Sequence, residues 1–230
     1  MRDSILGQKR LPSVHTTFSI RILMSSMFAF KSLLLELDSL KGVYRKSFIS
    51  AEKRKENSAE HSWHLAVAVI AMKHFLPDDV NVERMIQLSL LHDVCEIGAG
   101  DVCSYHSDKS QQREDEKAYI INLKGRHPQF GEELMAAWSE YESQETQESR
   151  WLMLFDKLVP FLLNIATECR TWREQNIDSE MVKSHNKFIQ DLSPEIHSWM
   201  MGELDIAVKN GWINEPNKQI QADALGASDH

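Results

Sequence analysis

Apolar residues recur every three or four positions along most of the chain, as Leu65, Ala68 and Met72 do within one segment. This period is typical of helices that pack one side against a core. No alternating apolar and polar run of useful length indicates a strand. Turn signals such as Pro77 and Pro194 separate the segments. The pattern therefore predicts an all-α fold, a single helical bundle without repeats or an interior linker.

The segments place the boundaries of the domain as well as its helices. Residues 1–26 are predicted to form an N-terminal extension, and residues 27–212 the helical domain. Residues 213–230 are polar and lack periodicity, so we predict a disordered tail. An irregular link precedes the second helix, and a loop over residues 96–108 follows the third. The predicted helices cover residues 27–40, 60–75, 82–94, 110–123, 129–141, 148–170, 179–191 and 194–210.

Four side chains with metal-binding chemistry lie in these apolar segments: His61, His92, Asp93 and Asp156. His61 shares its helix face with Leu65, so it points towards the core, where an unpaired imidazole is costly. Two imidazoles and two carboxylates are the mixed ligand set of one divalent transition metal, with Mn, Fe, Co, Ni, Cu and Zn not distinguishable. Helix caps and internal hydrogen bonds are the alternative explanation for such residues.

Composition narrows the class of partner. The 230 residues carry 26 Lys and Arg against 34 Asp and Glu, a net charge of −8, which argues against a nucleic acid polymer as ligand. An anionic substrate must then be met by a local positive centre, such as a metal with an arginine. The odd set Cys95, Cys103 and Cys169 contains no C-x-x-C pair and indicates a reducing, cytoplasmic setting. Charges interrupt the apolar N-terminal run, so no membrane span is predicted.

The order and spacing of the candidate ligands resemble the HD-domain metal-dependent phosphohydrolases. Within these, the chain is more similar to the branch of 5′-deoxynucleotidases that act on nucleoside monophosphates. The likeness runs through KGVYR (41–45), ENSAEHSW (56–63), LHDVCEIGAGD (91–101), REDEKA (113–118), WSEYE (138–142) and FDK (155–157). The resemblance implies an HD-domain fold in which His61, His92, Asp93 and Asp156 hold the metal. His64 is assigned to packing or to a position that supports the ligands without binding the metal.

The resemblance also implies roles for four other residues. Glu96 matches the family's catalytic glutamate and Asp101 the aspartate of its G-D element, and the two could act as an acid/base pair. Arg45 matches the family's phosphate-contacting arginine, whose planar fork suits a phosphate. Without the resemblance, solvated charges on loops would be the favoured explanation for these residues. Lys46 stands where some members have a tryptophan associated with excluding a ribose 2′-hydroxyl. We therefore expect ribonucleotides to be turned over beside deoxyribonucleotides.

These observations predict a cytoplasmic, metal-dependent phosphomonoesterase. Its substrates would be nucleoside 5′-monophosphates, deoxyribonucleotides in particular, cleaved to nucleoside and phosphate. One alternative is an HD phosphohydrolase acting on cyclic dinucleotides, nucleoside triphosphates or alarmones. Another is a catalytically degenerate HD scaffold for protein interaction, although its ligand set is intact. A homodimer through the apolar C-terminal helices is a further expectation.

Overall fold

The computed structural model describes residues 14–52, 54–105 and 109–216. Helices dominate these residues, and the all-α prediction is confirmed. Two short strands form the only sheet within them. The helices are α1 (Val14–Asp38), α2 (Ser58–Met72), α3 (Val82–Leu91), α4 (Glu96–Ala99), α5 (Lys109–Arg126), α6 (Pro128–Ser143), α7 (Gln147–Ala166), α8 (Arg170–Glu174), α9 (Ser179–His185), α10 (Ile189–Leu192) and α11 (Pro194–Lys209).

The first helix forms a compact unit by itself, and the remaining elements from Ser39 form a second unit. α1 begins 13 residues before the predicted helix over residues 27–40. No glycine or proline lies between Val14 and Asp38, so nothing in the backbone stops the helix earlier. Neither α1 nor another helix in the described part of the chain is long and apolar enough to cross a membrane. Residues 1–13 of the predicted extension, and the predicted tail from residue 217 onward, lie outside the described residues.

An antiparallel hairpin, β1 (Tyr44–Phe48) and β2 (Lys55–Asn57), replaces the predicted irregular link. Tyr44 pairs with Asn57 and Phe48 with Lys55, so the longer strand bulges between these pairs. The strands escaped prediction because they are short and carry consecutive polar residues rather than an alternating pattern. The bulge matters for the site, because two neighbouring residues of β1 can then line one cavity.

The start of α2 is fixed by a capping box. The Asn57 side chain accepts a hydrogen bond of 2.9 Å from the Glu60 N–H, and the Glu60 carboxylate accepts one of 3.1 Å from the Asn57 N–H. Arg54 donates two further hydrogen bonds to Glu60, at 2.7 and 2.8 Å. The helix therefore begins at Ser58, and this register turns His61 towards the core.

The central helix of the second unit is α7, whose side chains are buried on most of its surface. It packs against α2, α3 and α6. The predicted helix over residues 148–170 ends early, at Ala166, because Glu168 and Cys169 adopt the left-handed conformation and α8 follows. The loop predicted over residues 96–108 contains the single turn of α4. The predicted helix over residues 179–191 is divided into α9 and α10.

Candidate metal centre

Three of the predicted ligands lie together in the core. Ligand atoms of His61, His92 and Asp156 all lie within 4.8 Å of one another, and the three side chains are buried. Nε2 of His61 lies 2.8 Å from Oδ1 of Asp156, and Nε2 of His92 lies 3.8 Å from the same oxygen. α2, the end of α3 and α7 provide one residue each, and these helices pack against one another. His64 is not part of the group.

The hydrogen bond made by one ring nitrogen of His92 leaves the other ring nitrogen available to bind a metal. Its Nδ1 lies 3.1 Å from the carbonyl oxygen of Ser89. Because a carbonyl only accepts, Nδ1 carries a hydrogen, and a neutral ring then presents a lone pair at Nε2. That Nε2 is buried without a hydrogen-bond partner and faces Oδ1 of Asp93 at 3.1 Å. Burial lowers the pKa of His92, but Asp93 and Asp156 raise it overall. The two carboxylates therefore favour a positive charge at this nitrogen, which a metal ion would supply.

Asp93 lies at the edge of the group. Its Oδ2 accepts a hydrogen bond of 3.0 Å from Nη1 of Arg45 and lies 3.9 Å from Nε2 of His61. Its other oxygen, Oδ1, faces His92. One carboxylate oxygen is thus engaged by the arginine, and the other is directed at the candidate ligands.

Asp156 is oriented by groups that sequence reasoning did not single out. The Tyr141 hydroxyl and the Lys157 ammonium each donate to its Oδ2 at 2.8 Å, which leaves Oδ1 facing the two histidines. Although burial alone would raise it, Lys157 and the hydrogen bond from His61 hold the pKa of Asp156 well below its usual range. Tyr141 was missed because it follows the helical spacing of core residues, so its position indicated packing alone.

Arg45 brings the predicted catalytic acids next to the metal centre. Its Nη1 lies 3.0 Å from Asp93, 4.0 Å from Oε1 of Glu96 and 3.7 Å from Oδ1 of Asp101. On its other edge, Nε lies 3.7 Å from Oε2 of Glu56. Only 14% of the Arg45 side chain is exposed. The residues predicted to bind phosphate and to move protons therefore share one buried location.

The two acids sit on either side of a sharp turn. Glu96 opens α4 and accepts a hydrogen bond of 2.5 Å from the Ser58 hydroxyl, while Asp101 follows Gly100. Gly100 has φ of +76°, a conformation that suits glycine and turns the chain back towards the pocket. Burial and the charge of Asp93 raise the pKa of Glu96 well above its usual value, and burial also raises the pKa of Asp101. Both carboxyls can hold protons closer to neutral pH than solvated acids do.

Glu56 is a further residue that the sequence prediction missed. It is 2% exposed, and its Oε2 lies 3.7 Å from Arg45 Nε and 3.7 Å from His61 Nδ1. None of these three buried atoms has a hydrogen-bond partner. Burial raises the pKa of Glu56 to about 7.

The charges around the site fit a bound cation. Among the described residues, the cluster has five carboxyl groups and three cationic side chains, Arg45, Lys46 and Lys157; the carboxyls belong to Glu56, Asp93, Glu96, Asp101 and Asp156. A divalent cation would reduce the excess of negative charge and take up the orphaned His92 nitrogen. The donor set and its surroundings therefore fit a metal.

A pocket opens from the metal centre to the surface. Arg45 and Lys46 both line it, as the bulge in β1 allows. The Thr171 hydroxyl donates a hydrogen bond of 3.4 Å to the Lys46 carbonyl, which ties this strand to α8. Asp93, Glu96, Asp101 and Asp156 line the same pocket. Every predicted site residue except the enclosed His61 and His92 thus faces one cavity.

Comparison with known proteins places these residues in context. A profile of the HD domain matches residues 37–197. The human protein named 5′-deoxynucleotidase HDDC2 is 27% identical over 109 residues, 46% of this chain and 51% of the human protein. The Xenopus laevis protein of that name is 30% identical over 123 residues, 51% of this chain and 59% of the relative. The chain therefore spans little more than half the length of these curated relatives.

A solved structure is also similar over most of the chain. The crystal structure of a predicted metal-dependent phosphohydrolase from Magnetospirillum magnetotacticum MS-1 matches with a TM-score of 0.74 and 30% sequence identity. The match covers 83% of this chain and 98% of that protein. The helical arrangement that assembles the candidate site is thus shared with that protein.

Proposed function

Because this chain belongs to the HD domain family, we propose that it is a metal-dependent phosphomonoesterase that hydrolyses nucleoside 5′-monophosphates, chiefly deoxyribonucleotides. The observation that carries the proposal is the buried group of His61, His92 and Asp156 beside the phosphate-binding candidate Arg45. The names of the relatives support the substrate class, and the named phosphohydrolase structure supports the reaction class.

The candidate ligands His61, His92 and Asp156, with Asp93 beside them, would hold the metal. When bound, a divalent metal supplies charge neutralisation for a phosphate oxygen and lowers the pKa of a water towards neutrality. Arg45 contributes the planar guanidinium in the pocket, and its fork suits two oxygens of one phosphate. Glu56 on its far edge limits how this side chain can turn.

Glu96 and Asp101 move the protons in this proposal. Hydrolysis transfers one proton from the attacking water and delivers one to the ester oxygen of the leaving nucleoside. A carboxyl with a raised pKa can donate the second proton, and its partner carboxylate can accept the first. Both side chains contact the Arg45 guanidinium, so they lie beside the group that binds the phosphate.

The test is phosphate release by purified protein that has been stripped with a chelator and reloaded with single divalent metals. Substrates are deoxyribo- and ribonucleoside 5′-monophosphates, with nucleoside triphosphates and a cyclic dinucleotide as the competing classes. We expect release from monophosphates only after metal is added. His92→Ala should abolish it, while the matched control His64→Ala, one turn from His61 but outside the ligand group, should retain it. Preference for a competing class, or metal-independent activity, would refute the proposal.

A further inference from the structure

The pocket extends beyond the charged site to a pair of aromatic rings. Tyr105, in the loop before α5, and His185, at the end of α9, have ring centroids 4.4 Å apart and planes inclined by 34°. Both rings are half-buried and line the same pocket as Arg45 and Asp156. They also line a second depression, next to Asp178 and Glu180, so the pair forms the wall between the two.

The polarity of the pocket changes along α7. Asp156, Pro160 and Asn164 line it at intervals of four residues, so the pocket follows this helix for about 12 Å at 1.5 Å per residue. The Asn164 side chain accepts a hydrogen bond of 3.3 Å from the Trp172 N–H. The Trp172 side chain in turn lies next to the Tyr105 hydroxyl, which places the ring pair at the Asn164 end. The pocket therefore has ionic groups at one end and aromatic groups at the other.

Neighbouring side chains fix the orientation of both rings. The side chains of Trp172 and Asn186 lie next to the Tyr105 hydroxyl, and the Ser104 hydroxyl lies 3.4 Å from Nε2 of His185. Rings held in this way keep their accessible surface towards the pocket before any ligand arrives. Their orientation costs little additional entropy on binding.

We propose that Tyr105 and His185 form the nucleobase-binding end of the pocket, where the base stacks on their accessible surface. This inference rests on the proposed function, since a nucleoside monophosphate has the same order of groups, with phosphate at one end and base at the other. Every base has a π face, so stacking accepts all of them, and the larger purines stack more strongly. We therefore expect modest base selectivity that favours purines.

The experiment compares two substrates that differ only in the base. Deoxyadenosine 5′-monophosphate carries it, and 1,2-dideoxyribose 5-phosphate lacks it. Tyr105→Leu removes the ring but keeps an apolar side chain, and the matched control Tyr105→Phe keeps the ring. Tyr105→Leu should lower kcat/KM for the nucleotide about 5- to 150-fold and leave the baseless substrate within about twofold. Tyr105→Phe should stay near wild type, and His185→Leu should follow Tyr105→Leu.

Equal losses of kcat/KM on both substrates would show that Tyr105 acts only through the fold. Unchanged kcat/KM on the nucleotide would show that the base does not stack on Tyr105. Either result overturns the inference. If wild-type protein hydrolyses neither substrate, the proposed function fails separately. Calorimetric titration of metal-loaded Glu96→Gln protein with deoxyadenosine 5′-monophosphate then decides on the base site. Weaker binding after Tyr105→Leu supports it, and unchanged binding overturns it.

Discussion

At the scale of single residues, Glu56 lies between a candidate metal ligand, His61, and Arg45, which is proposed to bind phosphate. Its buried carboxylate faces both His61 Nδ1 and Arg45 Nε. A carboxylate behind a metal-binding histidine fixes the ring and strengthens its ligand nitrogen. Glu56→Gln keeps the shape but removes the charge, so metal affinity should fall about 10- to 100-fold.

Calorimetric titration of the stripped protein with Co²⁺ at pH 8 measures this change. Glu52→Gln is the matched control, because Glu52 belongs to the same hairpin region but is exposed and pairs only with Arg54 among the described contacts. The control should bind the metal like wild type. Equal Co²⁺ affinity of the Glu56→Gln and Glu52→Gln variants would show that Glu56 does not support metal binding.

Lys46 decides the second prediction at this scale, which concerns the sugar. Its flexible side chain lines the pocket beside Arg45 and offers no rigid wall against a 2′-hydroxyl. Wild-type protein should therefore hydrolyse ribonucleotides measurably. Lys46→Trp should raise the ratio of kcat/KM for deoxyribo- over ribonucleotide of the same base by about 10- to 200-fold. Lys46→Leu, which removes the charge without adding an indole, is the control. Strict deoxy-selectivity in wild type would assign discrimination to another residue.

At the residue scale, the sequence identified the polar, ionisable side chains that lie in otherwise apolar segments. Imidazoles and carboxylates in apolar helices stood out, because burying them without partners is costly. His61, His92 and Asp156 lie together in the structure as a group that could hold a metal ion. The assigned roles of Glu96, Asp101, Arg45 and Lys46 stay predictions. Glu56 and Tyr141 were missed because their contacts depend on tertiary packing across tens of residues.

At the scale of elements, helix packing leaves no room for a side chain at one helical glycine and ample room at another. A Cβ on Gly131 of α6 would lie 2.3 Å from the Cα of Lys124 in α5, so these backbones touch. On Gly202 of α11, a Cβ would have no neighbour within 4 Å. Gly131→Ala should therefore separate the helices and destabilise the protein by about 1–3 kcal/mol. Gly202→Ala should stabilise it by up to about 1 kcal/mol through helix propensity.

Urea denaturation followed by circular dichroism measures both free energies of unfolding. The two substitutions add the same methyl group to a helix, so opposite signs isolate the contact with Lys124. A stable Gly131→Ala variant would mean that α5 and α6 can move apart without cost.

Elements were predictable where the local pattern decides them. The apolar period and the caps of α2, α3 and α11 are encoded in a few neighbouring residues, and their starts were predicted within two positions. The hairpin was not, since its pairing joins a five-residue and a three-residue strand of mixed polarity. The end of α7 was also missed. Left-handed positions that end a helix are usually glycines, whereas here the left-handed residues include Cys169, so no sequence signal marked the helix end.

At the scale of the whole molecule, the HD domain match confirms the family resemblance seen in the sequence. The metal is expected to stabilise the fold, because its candidate ligands come from three packed elements. A ligand that binds only the native state at 100 times its Kd adds about 2.7 kcal/mol. For a chain of this size, that corresponds to a rise in Tm of about 5–10 °C. The proposed homodimer stays a prediction.

Differential scanning calorimetry with saturating metal, and again after chelation, checks this expectation. Wild type should lose the added stability on chelation. His92→Ala should melt at one temperature in both conditions, because its ligand set is incomplete. If the Tm of wild type were the same with metal and after chelation, this would contradict a metal bound within the core.

The separation of the ligands along the chain also constrains the order of events in folding. His61 and Asp156 are 95 residues apart, yet their side chains meet at 2.8 Å. Closing so long a loop costs entropy before any contact compensates for it. The ion can therefore be captured only after α2, α3 and α7 have already met. The metal should therefore bind after the folding transition state. Binding would slow unfolding of these helices and leave the folding rate unchanged.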